Sequence, residues 1–136
     1  MNEAVQTYDV ATALRNLAHP VPSSGDGAGE AFRILARFGA GGLVVGGFTG
    51  QTPWEIHPDT DELLYAVEGE AEITILTEDG THRGTLRRGH VCIVPRGMWH
   101  RQFARDGVKF LAISGPATHS WADDPREPNP EQADGK

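Results

Sequence analysis

The chain has 136 residues, enough for one domain with a core of its own. Its composition, 38% hydrophobic and 23% charged, is that of an ordinary globular protein, and a net charge of -7 opposes association with nucleic acid. No run of about 18 apolar residues offers a membrane-spanning helix, and the first twenty residues lack the basic and apolar regions of a signal peptide. The single cysteine, Cys92, excludes an intrachain disulfide and agrees with a cytoplasmic location.

In chain order, residues 9–18, "DVATALRNLA", predict a short amphipathic helix. Asp9 caps it, and Val10, Ala13, Leu14 and Leu17 share a face. His19-Pro20 ends it, and "PVPSSGDGAGE" follows as a flexible connection with nothing to pack. From residue 30 the period changes to two. "AFRILARF" places Phe32, Ile34, Ala36 and Phe38 on one side of a half-buried strand and Arg33, Leu35 and Arg37 on the other.

Seven more strands are expected at 43–48, 62–67, 71–76, 81–87, 90–95, 100–104 and 108–114. Turns between them carry Gly69, Asp79-Gly80, Gly89, Gly97 and Asp106-Gly107. Short strands joined by glycine-rich turns, with no helices between them, predict an all-β antiparallel sandwich or barrel. After Ser114 the composition shifts to proline and acid, which predicts a disordered or surface-draped tail with Trp121 as its one anchor. The domain layout is therefore an N-terminal helix and linker (1–29), a barrel (30–115) and a tail (116–136).

Charge is unevenly spread. Nine acids and no lysine or arginine lie between Glu55 and Asp79, whereas the stretch from His82 to Lys109 is basic. Cross-strand pairing accounts for this, with Glu70, Glu72 and Thr74 on one strand facing Arg83, Thr85 and Arg87 on its hairpin partner. Cys92 sits in the apolar run "HVCIVP" and reads as a buried, inert thiol.

The segment "EIHPDTDE" (55–62) drives an acidic cluster straight into an apolar strand. Residues two apart on a strand share a face, so Glu55 and His57 point the same way if 54–57 is extended. The turn "PDTD" then reverses the chain, and Glu62 can point back at the pair, leaving Asp59 and Asp61 to solvent. His100 opens a later strand, and a barrel that brings it alongside completes two imidazoles and two carboxylates. That mixture suits a divalent metal such as Mn, Fe, Ni or Zn, and suits Ca or Cu(I) poorly.

These residues fall in two segments that resemble the signatures of the cupin superfamily, small jelly-roll barrels. The first is G-x5-H-x-H-x3-4-E-x6-G, against which the chain aligns Glu55, His57, Glu62 and Gly69. Glutamate stands in the first histidine's place, and Gly50 is one residue out of step. The second is G-x5-P-x-G-x2-H-x3-N, matched by Gly89, Pro95, Gly97 and His100, with Ala104 replacing the asparagine. The short spacing between them resembles compact microbial cupins of the cupin-2 type. The resemblance implies a cupin-type double-stranded β-helix with a metal held by Glu55, His57, Glu62 and His100. Glu55 is either a ligand or a catalytic acid or base beside three remaining ligands.

Gln102, two residues beyond His100, and Leu64, two beyond Glu62, are expected to face the pocket, with Phe48 and Trp99 near its mouth. Tyr65 points the opposite way, toward packing with another sheet or subunit. His19, His82, His90 and His119 have no partner at ligand spacing and read as surface or structural residues. Two function classes follow for a small-molecule partner. One is a metal-dependent enzyme of dioxygenase, isomerase, decarboxylase or lyase type. The other is a non-catalytic binder or sensor in the same barrel. A homodimer through edge strands is the expected assembly, and no segment reads as a DNA-binding helix-turn-helix.

Overall fold

The computed structural model describes residues 4–17 and 31–127. Among these, one helix, α1 (Val10–Arg15), precedes eight strands: β1 (Ala31–Phe38), β2 (Gly41–Gln51), β3 (Trp54–Ile56), β4 (Glu62–Thr77), β5 (Gly80–Arg87), β6 (Val91–Val94), β7 (His100–Ser114) and β8 (Thr118–Ser120). The flexible connection expected at 20–30 lies outside the described residues, as does His19. The helix begins where predicted, with the Asp9 carboxylate accepting from the Thr12 backbone N–H at 3.0 Å.

Two pairs of predicted strands are in fact single long strands. Residues 62–67 and 71–76 join as β4, and 100–104 and 108–114 join as β7. The glycines expected to make turns bend these strands instead of ending them. Gly69 (φ 74°) and Gly107 (φ 97°) take left-handed conformations open to glycine, and the β4–β7 register slips between Gly69 and Glu72. A side chain at Gly69 would overlap the Gly107 carbonyl oxygen. The inward parity of β4 changes at this corner, from Leu64 and Ala66 before it to Ala71 and Ile73 after it.

Bent this way, β4 and β7 each serve two walls. One wall runs β1-β2-β7-β4-β6 and the other β8-β3-β7-β4-β5. The result is the expected all-β cupin-type barrel. Its core lies between the walls, around Phe48, Leu64, Ile73, Leu86, Val94 and Phe110. Phe48 and Phe110 meet edge to face at 6.3 Å, and Gly46 leaves the space that the Phe110 ring occupies. Helix α1 packs on the outside of the first wall, where Ala13 and Leu14 cover Val45. The buried Lys109 ammonium donates to the Leu14 carbonyl at 2.8 Å, which places a cation at the helix C-terminus.

The β4–β5 hairpin brings the two predicted sets of residues face to face, in the antiparallel order Glu70–Arg87, Glu72–Thr85 and Thr74–Arg83. The expected ion pairing does not follow, since no ion pair within 4.0 Å joins these residues among those described. Both side chains stand in solvent, where such pairs gain little. Cys92 is half-buried against the core, and burial raises its pKa, which keeps the thiol protonated.

Two expectations about the edges need correction. The alternation in β1 breaks at a β-bulge. Ile34 pairs with Val44, yet Ala36 pairs with Leu43, so Leu35 is the extra residue and the facing pattern flips beyond it. The face meant to be half-buried is also largely open, with Phe32 58% and Ile34 63% exposed. The segment after Ser114 is not featureless, because β8 pairs with β3. No helix among the described residues is long and apolar enough to cross a membrane.

Candidate metal centre

Glu55 and His100 come from the second wall and His57 from the residue leaving β3, whereas Glu62 comes from the end of β4 that pairs with β6 in the first wall. Glu55 sits at the centre of β3, with His100 of β7 as its cross-strand partner on one side and His119 of β8 on the other. His57 follows β3 directly, and Glu62 opens β4 after the loop 58–61. That loop is pinned at three points. The Gly115 N–H donates to Thr60 Oγ1 at 2.8 Å, the Arg96 N–H to Asp61 Oδ1 at 2.9 Å, and the Gly97 N–H to the His57 carbonyl at 2.9 Å. Asp59 and Asp61 are exposed, as expected, and Asp61 in addition holds a backbone amide.

Four side chains converge. His57 Nε2 lies 3.2 Å from Glu55 Oε1 and 3.5 Å from Glu62 Oε1, while His100 Nε2 lies 3.4 Å and 3.0 Å from the same two oxygens. The ligand atoms of all four residues fall within 4.8 Å of one another. Four donors about 2.1 Å from one ion at 90–110° stand roughly 3.0–3.4 Å apart, so the constellation has the dimensions of a metal centre. The far ring nitrogens agree: Nδ1 of His57 faces the Gly115 carbonyl at 2.9 Å and Nδ1 of His100 the Met98 carbonyl at 3.1 Å. A proton held on each Nδ1 leaves the Nε2 lone pair pointing inward, the arrangement of a ligating histidine.

Without an ion the cluster neutralises itself. Burial opposes charge on His57, but hydrogen bonds and the charges of Glu55 and Glu62 outweigh it and raise its pKa to about 10. His100 is raised to about 9 against the same burial penalty, by the same two carboxylates. Burial also pushes Glu55 and Glu62 upward. The histidines more than offset it, holding Glu62 below its usual range and Glu55, which His119 also touches, well below.

Glu55, His57 and Glu62 line a cavity of about 560 Å³ whose walls are mainly apolar, among them Leu64, Phe110 and Ala112, with Gln102 as a buried polar group, and His100 lies behind them, fully buried. Phe48 and Trp99, expected at the mouth, are not among its lining residues. Phe48 is fully buried in the core against Phe110, and Trp99 is part-buried in the turn before β7. Tyr65 points outward and is partly exposed.

His119 was missed. Its Nε2 stands 2.7 Å from Glu55 Oε2, a contact made by β8, a three-residue strand in a segment whose composition signalled disorder. The one available signal was the alternation Thr118-His119-Ser120 followed by Trp121, too short to distinguish from chance.

The matching profile is that of the cupin family (Cupin), over residues 40–124. With most of the chain matched, and both signature segments in place, the protein belongs to the cupin family. Among curated proteins, a 54-residue stretch is 35% identical to the uncharacterized protein YdbB of Bacillus subtilis, covering 40% of this chain and 45% of that one. The chain thus matches less than half the length of that relative. Among solved structures, it superimposes with a TM-score of 0.54 on a cupin-2 domain protein from Shewanella frigidimarina, at 26% identity over 62% of this chain and 79% of the other. It also shares the fold of Bacillus subtilis oxalate decarboxylase, studied for its Mn(II) centres, with a TM-score of 0.57 and 19% identity over 75% of this chain and 30% of that enzyme.

Proposed function

We propose that this cupin is a metal-dependent enzyme acting on a small organic molecule in the barrel cavity, with Glu55, His57, Glu62 and His100 as the ligands of one divalent ion. The observation that carries this reading is the convergence of two imidazole nitrogens and two carboxylate oxygens, with nitrogen–oxygen distances of 3.0–3.5 Å, beside a mainly apolar cavity. Two carboxylates make the set harder than one of three histidines, which favours Mn or Fe over softer ions. The Mn(II) centres of the structurally similar oxalate decarboxylase support the choice.

A divalent ion held by these four residues would supply Lewis-acid polarisation of a substrate oxygen. The chain's own residues do the rest. Gln102, buried at the cavity wall, orients the substrate by hydrogen bonding. Leu64, Phe110 and Ala112 exclude water around it. The reaction falls in the dioxygenase, isomerase, decarboxylase or lyase group. The exposed apolar residues Tyr65, Val91 and Ile93 on the outer face of the first wall support a homodimer, readable by light scattering.

Metal analysis of protein purified without a tag or added ion tests the reading. About one Mn or Fe per chain, lost together in His57→Ala and His100→Ala, is the expected result. A metal-free protein that takes up none of these ions on titration would sink it.

A further inference from the structure

Arg37 is the feature that the proposed function leaves unused. By simple alternation it belongs to the outer face of β1, with Arg33 and Leu35. The bulge at Leu35 reverses that. Beyond it Arg37 pairs with Gly42, which pairs in turn with Ser114 of β7, and all three line the cavity that holds the metal cluster. Bulges beside sites commonly re-aim one side chain in this way. Gly42 brings no side chain of its own, and Arg37 is exposed at the cavity. Arg37 is the one lysine or arginine among the lining residues, and it makes no ion pair among the described residues.

The charges in the cavity can be summed, taking the proposed metal site as given. Glu55 and Glu62 carry two negative charges, a divalent ion two positive ones, and ligating histidines are neutral. The ligand set is then balanced; of the other lining residues His119 is held on Glu55 Oε2 at 2.7 Å, and Arg37 carries a positive charge with no ion-pair partner among the described residues. The rest of the lining is mainly apolar, and Phe32 and Ile34 at the β1 side stand more than half exposed, ready to be covered. A volume of about 560 Å³ far exceeds what a two-carbon acid fills.

We infer that the cavity takes a monoanionic small molecule with an apolar body, its carboxylate paired with Arg37. Arginine suits this role because its planar fork matches a carboxylate through two parallel hydrogen bonds. The bulge at Leu35 is then a specificity device, which gives an otherwise apolar wall a single anion-binding point.

Calorimetric titration of manganese-loaded protein with phenylacetate, phenylacetamide and acetate tests both halves of the inference. Phenylacetate should bind at least tenfold more tightly than either of the others, since acetate lacks the apolar body and phenylacetamide the charge. In Arg37→Gln, phenylacetate should fall to the level of phenylacetamide, while phenylacetamide binding stays unchanged and reports an intact cavity. Arg37→Lys should recover part of the loss. Acetate binding as well as phenylacetate, no effect of Arg37→Gln on phenylacetate, or no binding of any of the three overturns the inference. Metal content measured on the same samples separates this from failure of the proposed function, which shows as protein without an ion.

Discussion

His119 Nε2 lies 2.7 Å from Glu55 Oε2, while the other oxygen of the same carboxylate, Oε1, faces His57 and His100. The strand β8 thus divides the two oxygens of Glu55 between two tasks. One is offered to the cluster and the other is tied to a histidine outside it. Hydrogen bonds of this kind orient a ligating carboxylate and hold it to one-oxygen binding.

Removing that tie should loosen the ion without removing a ligand. His119→Ala is expected to weaken Mn(II) binding by about 10- to 100-fold, measured by competition with a fluorescent chelator. His119→Gln, which can still donate to Oε2, should recover most of the affinity. Equal affinity in wild type and His119→Ala would show that Glu55 is oriented without it.

The role of Glu55 itself is separable. Glu55→Gln keeps the shape but exchanges an anionic oxygen for a neutral amide. As a ligand, Glu55 should take the metal with it, so the variant should purify with far less ion than wild type. Full metal content with turnover abolished would instead assign Glu55 to acid or base chemistry beside three ligands.

Stability should depend on pH in a sense set by the histidines. In metal-free protein the folded pKa values of His57 and His100, about 10 and about 9, stand above the ordinary 6.5. Their contribution is fully present below pH 6.5, declines above it, and is gone beyond about pH 10. Glu55 and Glu62 are lowered from 4.5, so theirs is present above that value and lost as the pH falls. Thermal melts in EDTA should therefore peak at about pH 5–6. An added ion competes with these protons, so its stabilising effect should be larger at pH 9 than at pH 6. A metal-free melting temperature that climbs steadily from pH 6 to 9 would contradict the ion-paired cluster.

The bend at Gly69 should be intolerant of a side chain. Gly69→Ala combines a positive φ with overlap of the Gly107 carbonyl, costing about 1–3 kcal/mol or more. That corresponds to a fall of roughly 3–15 °C in Tm. Gly84, on β5, meets nothing within 4 Å of a built side chain, so Gly84→Ala should leave Tm nearly unchanged and serves as the control.

The sequence by itself determined the class of fold, the capped helix and which residues of the β4–β5 hairpin face one another. It also determined that Glu55, His57, Glu62 and His100 belong together. Those features rest on local causes, namely period-two alternation, a capping carboxylate, and two signature segments whose spacings put donors at strand ends. Only the tertiary structure decided what depends on distant pairing. That Gly69 and Gly107 bend two strands, instead of ending four, follows from their close approach across β4 and β7. The outward strand residue Arg37 reaches the cavity because one extra residue at Leu35 slips the register against β2. His119 reaches Glu55 because β8 adds to the free edge of β3, a pairing 64 residues away along the chain that no local pattern encodes.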